Sequence, residues 1–282
     1  ELKFFGTPGP TTLDKGSLSL TRSLDVPRIS RYDVDTETPR PEKLLLDFDT
    51  TVNSSPTDIS GQGNHGTFYG NAQYSTADKA FKFDGSGDYI ESTLNNIASD
   101  AYTASVWVKF RPDAGSSTDP CIFQFGNGST PSSFGMISDT SENKLRAFIF
   151  GNNAVDLIGV TVDNVWYHLC ATYYASNGRI DFFINGILKG SVTTGTAMTI
   201  PSTQYLSIGV QTNSSNAPIT TTYFTGSISN FKIYSVALEA SEVQKLYRLG
   251  RTGRSMVISD TAVGIGKVPE AQLDVRGVAR ME

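Results

Sequence analysis

A chain of 282 residues, 38% hydrophobic and 18% charged, is long enough for one large β-domain with appendages or for two smaller domains. The formal net charge of −5 excludes a strongly basic surface, so nucleic acid is not an expected partner. No apolar run approaches the roughly 20 residues of a membrane-spanning helix, and we expect a soluble chain without membrane insertion. The start lacks both an initiator Met and a signal-peptide pattern, which indicates a piece of a longer protein.

Residues 1–43 are rich in proline and have no sustained apolar period, which predicts an extended connector. From Leu44 onward, short apolar or alternating runs are separated by Gly, Asn, Ser and Asp, the pattern of strands and turns. Leu44 opens the first run, and twelve further strands are predicted at 80–83, 89–91, 104–110, 121–125, 135–137, 145–150, 156–160, 167–174, 180–184, 187–191, 205–209 and 226–234. Their number predicts an all-β fold, an antiparallel β-sandwich over residues 44–250.

Two local signals stand out within this region. Asn185-Gly186, between two apolar runs, predicts a type I′ hairpin, because both central residues of that turn need positive φ. Val243, Leu246 and Tyr247 share one face at helical spacing before Gly250, which predicts one short C-terminal helix.

The two flanks resemble each other. Residues 23–31 and 272–280 align without gaps and share Leu-Asp-Val and a closing Arg. Either chance or a recurring connector explains this match, and the second reading makes residues 251–282 a connector like the first.

Cysteine and histidine are scarce. Two Cys and two His are too few for a zinc site of the familiar spacing. Cys121 and Cys170 lie in predicted strands, which leaves open either a disulfide or two buried thiols. His65 and His168 are expected to have structural roles, His168 as a core histidine.

Six ordered blocks carry a family resemblance: residues 58–66, 81–90, 106–109, 166–173, 183–186 and 224–234. Together they resemble the laminin-G-like, pentraxin-like branch of the concanavalin A-like lectin/glucanase superfamily. The resemblance implies a jelly-roll sandwich over residues 44–250, but such sandwiches serve as lectins, enzymes and adhesion domains.

The tail carries a second resemblance. Residues 263–277 look like the "V-G-I-G-T-x-x-P-x-x-x-L-D-V-x-G" segment of phage tail fibres and of surface proteins of large DNA viruses. This implies an elongated, extracellular protein of the virion surface, with other virion proteins as partners and a trimer formed through the flanks. A bacterial adhesin or a secreted protein with the same connector stays open.

The family's metal chemistry implies a calcium ion. Asp58 and Asn64 match its loop ligands, although Ser229 stands where the family has an Asp in the closing strand. Asp84 and Asp88 lie in and after a glycine-rich turn and are expected to stabilise it. The glucanase motif Glu-x-Asp-x-(x)-Glu is missing, which leaves enzyme activity open.

Sugar binding needs rings that stack on a pyranose, with polar groups beside them for its hydroxyls. Tyr69, Tyr74, Phe134 and Tyr223 lie among Asn, Gln, Ser and Thr and are the candidate binding residues. The leading hypothesis is a lectin-like module of a virion surface protein that attaches to host cell-surface or cell-wall polysaccharide. The alternatives are a wall-degrading glucanase or lyase used in entry, and a structural spacer or oligomerisation module.

Overall fold

The computed structural model describes the strand at residues 24–27, most of residues 38–251, and three strands near the C-terminus. Within 38–251 the description omits residues 53, 96–99, 112–118, 127, 129–132, 140–143, 150–153, 159–163, 194, 196 and 198–202. The chain divides into two compact units, one of residues 37–252 and one formed by the two flanks.

Strands dominate the described residues. In chain order they are β1 (Leu24–Pro27), β2 (Leu44–Val52), β3 (Ser55–Asp58), β4 (Gly66–Tyr69), β5 (Gln73–Ser75), β6 (Ala80–Asp84), β7 (Tyr89–Asn95), β8 (Ala101–Phe110), β9 (Cys121–Gly126), β10 (Ser133–Asp139), β11 (Lys144–Ile149), β12 (Ala154–Ile158), β13 (Trp166–Tyr174), β14 (Arg179–Ile184), β15 (Ile187–Thr193), β16 (Thr203–Ile208), β17 (Thr225–Tyr234), β18 (Ser255–Ile258), β19 (Val263–Ile265) and β20 (Leu273–Val275). A 3-10 turn at Pro41–Lys43 leads into β2, and helix α1 spans Ala240–Leu249.

Two antiparallel sheets form a sandwich, which confirms the predicted fold class. One sheet has the order β12-β11-β10-β9-β16-β7-β4, and the other runs β15-β14-β13-β8-β17-β2-β3 with β5 and β6 attached. Strand β17 is central in the second sheet, because it pairs with β8 on one edge and with both β6 and β2 on the other. All twelve runs predicted after Leu44 are strands, whereas β3, β4 and β5 were not predicted, because these short segments contain no aliphatic run.

The core lies between the sheets and is rich in aromatic side chains. Phe123 of one sheet meets Phe231 of the other with ring centroids 5.2 Å apart, and Tyr102 meets Phe125 across the same gap at the same centroid distance. All four rings are fully buried. Burial of this apolar surface is the main stabilising contribution to the sandwich.

The predicted hairpin and helix are both present. Asn185 and Gly186 have φ of 51° and 75°, as a type I′ turn requires, and Ile184 pairs with Ile187 across it. Helix α1 begins at Ala240, with a capping box between Glu239 and Glu242. In the described part of the chain, no helix is long and apolar enough to cross a lipid bilayer.

Helix α1 packs on the second sheet through Val243 and Leu246, which contact a cluster that includes Cys170 and Phe183. Cys170 and Cys121 are both buried free thiols, so the disulfide alternative is not realised. Burial raises the pKa of both thiols well above the ordinary value, which keeps them protonated.

The flanks form a sheet of their own with the order β1-β18-β19-β20. Strand β1 pairs antiparallel with β18, so the segment before the sandwich meets the segment after it within one chain. The two copies of Leu-Asp-Val, in β1 and β20, are the edge strands of this sheet.

Candidate functional site

Four tyrosines surround one glutamate on the seven-stranded sheet. We call this group the tyrosine patch and define it as Tyr69, Tyr89, Glu91, Tyr205 and Tyr223. It combines β4, β7 and β16 with the segment that leads into β17.

Strand alternation places the patch on the outer face of the sheet. Ile90 and Leu206 are fully buried in the core, so their strand neighbours Tyr89, Glu91 and Tyr205 point the other way. Tyr69 lies directly opposite Tyr89 in the ladder between β4 and β7 and therefore shares its face.

The rings form a layered platform. Tyr69 and Tyr89 are stacked with their centroids 4.4 Å apart and an angle of 3° between their planes. Tyr223 also neighbours Tyr89, with its ring centroid 6.5 Å away and the two planes tilted by 31°. Tyr69 is 38% exposed, so its ring is open to a ligand from solvent.

Glu91 provides a charged acceptor within this platform. A hydrogen bond to Glu91 is the largest cause of the raised pKa of Tyr69, followed by the charge of the same carboxylate. Burial is the first cause of the raised pKa values of Tyr89 and Tyr205, and the Glu91 charge adds to both. The phenols of Tyr69, Tyr89 and Tyr205 are therefore held neutral, and the patch offers apolar ring faces, hydroxyl groups and one carboxylate.

The turn beside the patch is fixed by Asp88. Its carboxylate accepts the backbone N–H groups of Asn71, at 2.7 Å, and of Asp84, at 3.0 Å. Gly70 has φ of +69°, and a Cβ at this position would lie 2.5 Å from both Asp88 Oδ1 and the Gly87 carbonyl oxygen. The hydrogen bonds agree with the turn role expected for Asp84 and Asp88, and they hold the adjoining ends of β4 and β7 together.

The structure brings together two of the four predicted sugar-binding residues. The rings of Tyr69 and Tyr223 both neighbour that of Tyr89, at centroid distances of 4.4 Å and 6.5 Å. Tyr74 is on β5 in the other sheet, where its ring meets Phe81 at 5.2 Å and its hydroxyl donates to the Asp49 carbonyl oxygen at 2.9 Å. It is not part of the patch.

The prediction for Phe134 is wrong. Its side chain is fully buried in β10, with ring contacts to Phe123 at 5.8 Å and Tyr173 at 6.2 Å between centroids. A ring with no exposed surface cannot stack on a sugar. The neighbouring Ser and Gly residues made this segment look like a loop, whereas Phe134 faces the core from the first part of a strand.

Sequence reasoning missed Tyr89, Glu91 and Tyr205. The alternation of Tyr89 and Glu91 does indicate one solvent-facing side of β7, and this signal was available. That β7 pairs with both β4 and β16, and thereby joins Tyr69 and Tyr205 to the same group, is not visible in the local pattern.

The predicted calcium loop is held by hydrogen bonds. Asp58 Oδ1 accepts the N–H groups of Asp47, at 3.0 Å, and Ser60, at 2.9 Å, while Oδ2 accepts that of Asn64, also at 2.9 Å. The Asn64 amide donates to the Leu45 carbonyl oxygen at 2.9 Å. Among the described residues, no group of three or more His, Cys, Asp or Glu side chains is arranged to hold a metal ion.

Three backbone N–H groups donate to the Asp58 carboxylate, whereas a calcium ligand directs its oxygens to the cation. The structure gives Asp58 and Asn64 a role in anchoring the loop to β2. Calcium binding there stays a prediction.

Both histidines form contacts with neighbouring protein groups that are consistent with structural roles. His168 is buried, its Nε2 lies 2.9 Å from Ser105 Oγ, and burial lowers its pKa to about 3. The neutral ring lies beside Trp107, under helix α1. His65 is exposed, and its Nδ1 accepts the Asp58 N–H group at 3.2 Å.

An antiparallel sandwich of two sheets with a solvent-facing aromatic platform defines a protein of the lectin type in architecture. The family comparison agrees with this class. Residues 84–244 match the Laminin_G_3 model, described as concanavalin A-like lectin/glucanases superfamily, and the chain belongs to that superfamily.

Solved structures with a similar fold include receptor-binding domains of botulinum neurotoxins. The domain of the C/D mosaic serotype is 19% identical with a TM-score of 0.58, and the match covers 73% of this chain and 51% of that one. The serotype D domain in complex with N-acetylneuraminic acid gives the same values. The serotype DC domain in complex with rat synaptotagmin II is 18% identical with a TM-score of 0.56, covering 73% of this chain and 52% of that one.

These similarities show the fold. The chain spans about half the length of the neurotoxin domains that it matches. No curated protein gives a significant match to the sequence.

Proposed function

We propose that this chain is a carbohydrate-binding, lectin-like module and that the tyrosine patch is its binding surface. The observation that carries the proposal is the exposed stack of Tyr69 on Tyr89 beside the Glu91 carboxylate. A flat ring presents a polarisable face to the C–H groups of a pyranose, while the phenols and the carboxylate pair its hydroxyls. The superfamily, and a saccharide ligand recorded for a domain with the same fold, support this proposal.

The stack also lowers the cost of binding. Each ring restricts the rotation of the other, so less side-chain entropy is lost when a sugar docks on it. Hydrogen bonding to Glu91 holds the Tyr69 hydroxyl in place in the same way.

A second, more specific proposal concerns the kind of protein to which the module belongs. We propose that it belongs to a virion surface protein and attaches to host cell-surface or cell-wall polysaccharide. The resemblance of residues 263–277 to tail-fibre segments supports this setting, as does the presence of sheet-forming flanks on both sides of the sandwich. Trimerisation through the flanks and contacts with other virion proteins are part of the same proposal.

Glycan binding is the direct test. A glycan array followed by calorimetric titration should identify oligosaccharides that bind the wild-type chain, and Tyr89→Ala should weaken that binding about tenfold. Tyr74→Phe is the matched control, because it alters a tyrosine outside the patch, and it should bind like wild type. Absence of binding at millimolar oligosaccharide, with circular dichroism showing folded protein, would refute the proposal.

Two other outcomes separate the alternatives. Release of reducing ends or of unsaturated uronates from wall material would favour the degrading enzyme over the lectin. Binding to a host surface that survives enzymatic removal of its glycans would favour a protein receptor, as recorded for the serotype DC domain.

A further inference from the structure

A polar pocket of about 280 Å³ opens beside β6, β8 and β17 in the second sheet. Six polar residues among those lining it are Gln73, Lys82, Lys109, Arg111, Asn164 and Ser227. Its volume is just below the ~300–1,000 Å³ of typical small-ligand sites, so it suits one small unit of a ligand.

The sheet register aligns the lysines. Ser227 on β17 lies directly opposite Lys82 on β6 and directly opposite Lys109 on β8, so the two lysines flank it in one row. Gln73 on β5 extends the row beyond Lys82. Directly paired residues share a face of the sheet, so these side chains rise from the same surface.

The cationic side chains that line the pocket differ in their contacts with other protein groups. The Lys82 ammonium donates to Ser227 Oγ at 3.1 Å and forms an ion pair with Asp78 at 2.7 Å. The charge of Lys109 contributes to the lowered pKa of Asp78, but within the described residues neither its side chain nor that of Arg111 has a hydrogen-bond or ion-pair partner, and both line the pocket. They can therefore donate to a ligand without first breaking a protein contact.

The carboxylates of the two acidic residues in the pocket already accept hydrogen bonds from the protein. Asp88 accepts the backbone N–H groups of Asn71 and Asp84, and Asp84 accepts the Ser86 N–H at 2.7 Å and the Asn71 side-chain amide at 3.2 Å. These carboxylates hold the turn, and the groups left for a ligand are the two cations and the amides of Gln73 and Asn164. The lining carries Lys82, Lys109 and Arg111 against Asp84 and Asp88, a formal charge of +1 (three minus two) on a chain of net charge −5.

We propose that this pocket binds the anionic group, a carboxylate or a sulfate, of one unit of an acidic saccharide. Lys109 and Arg111 pair with the anion, and the amides of Gln73 and Asn164 pair with the neighbouring hydroxyls. The saccharide nature of the ligand rests on the proposed function, whereas the recognition of an anion does not.

The pocket adjoins the tyrosine patch. Asn71 follows Tyr69 by two residues, and Asp88 directly precedes Tyr89, so one turn borders both sites. The patch is on the seven-stranded sheet and the pocket row is on the second sheet, so a polysaccharide that occupied both would have to pass around this turn.

The test compares two double variants of the full chain by calorimetric titration. Lys109→Gln with Arg111→Gln removes the pocket cations. Lys189→Gln with Arg248→Gln removes the same charges from exposed positions on β15 and α1, outside the pocket. The probes are trigalacturonate for the carboxylate, a sulfated heparin disaccharide for the sulfate, and maltotriose as the neutral ligand.

We expect wild type and the remote variant to bind one of the acidic probes more tightly than maltotriose, with an affinity that falls as salt rises. The pocket variant should lose about tenfold or more of that affinity and most of its salt dependence. Equal affinity for acidic and neutral probes, or equal loss in the two double variants, would overturn the inference.

A third variant separates this inference from the proposed function. Tyr69→Ala with Tyr89→Ala removes the patch and leaves the pocket cations in place. If it abolishes binding of neutral glycans while the pocket variant binds acidic probes like wild type, the pocket inference fails alone. If it changes no glycan affinity while the pocket variant loses the acidic probe, the patch fails and the pocket stands.

Discussion

The ring of Tyr69 lies parallel to the ring of Tyr89, with 4.4 Å between centroids, because the two residues are directly opposite each other on β4 and β7. A cross-strand pair of this kind stabilises the sheet by about 0.5–1.5 kcal/mol beyond its buried area. It also leaves the outer face of the Tyr69 ring free to contact a ligand. The pair that stabilises the sheet is therefore part of the proposed binding surface.

The ring and the hydroxyl of Tyr69 should contribute separately to binding. Tyr69→Phe keeps the stack and removes the hydrogen bond to Glu91, so we expect a loss of threefold or less, about 0.6 kcal/mol. Tyr69→Ala removes the ring and should weaken binding about tenfold. Titration calorimetry with the same oligosaccharide checks both, and a larger loss in Tyr69→Phe than in Tyr69→Ala would contradict stacking as the main interaction.

Glu91 should control the titration of Tyr69. Its carboxylate raises the pKa of Tyr69 above the ordinary 10.0, so Glu91→Gln should lower that pKa toward 10 in a spectrophotometric titration. A phenol with a raised pKa stabilises the fold fully below about pH 10, and this contribution is lost as pH rises through the folded value. Glu91→Gln should therefore reduce the loss of stability above pH 10, and an unchanged alkaline titration would contradict the contact.

Asp49 should make stability fall between acid and neutral pH. Burial is the first cause that raises its pKa to about 6, with Lys232 opposing the shift. The stability linked to its protonation is complete below about pH 3.9 and is lost as pH rises through 6. Asp49→Asn should therefore be more stable than wild type at pH 7, by roughly 1–3 kcal/mol, and the difference should vanish near pH 4.

Thermal unfolding across this pH range measures the effect of Asp49. Asp156→Asn is the control of opposite sign, because hydrogen bonding to Arg146 lowers the pKa of Asp156. The stability from Asp156 is present above the unfolded pKa and is lost as pH falls through the folded value. A constant difference between Asp49→Asn and wild type from pH 4 to 7 would exclude the proposed ionisation.

The predicted calcium loop, which contains Asp58 and Asn64, should be stable without calcium. Asp58→Ala removes acceptors for three backbone N–H groups and should lower the unfolding free energy by about 2–4 kcal/mol. A chelator should leave the melting temperature of the wild-type chain unchanged. A rise in melting temperature with added calcium that Asp58→Ala abolishes would instead support the calcium prediction.

The sandwich should fold without its flanks. Residues 37–252 cluster as one unit, so this fragment should give a single cooperative thermal transition. The shorter fragment 44–250 loses Arg251, whose guanidinium lies 4.4 Å from the Trp166 ring centroid and donates to the Lys79 carbonyl oxygen at 2.9 Å. We expect it to be less stable by about 1–3 kcal/mol. Aggregation of fragment 37–252 would show that the flanks complete the sandwich.

Local patterns located most of the secondary structure of the sandwich, although β3, β4 and β5 were missed. The alternation of apolar residues located the strands after Leu44, Asn185-Gly186 located the hairpin, and the spacing of Val243 and Leu246 located α1. Each of these signals lies within a few neighbouring residues, where backbone preferences and side-chain periodicity act directly.

Strand pairing was decided only by the tertiary structure, and the candidate site depends on it. Tyr69 and Tyr223 were both predicted as binding residues, but they belong to one group because β7 lies between β4 and β16 and presents Tyr89, which neighbours both rings. Phe134 was misplaced for the same reason, since which face of a strand becomes buried depends on the sheet that covers it. The sequence by itself determined most of the strands, the helix and the family resemblance, whereas the site arose from contacts between residues far apart in the chain, which no local periodicity encodes.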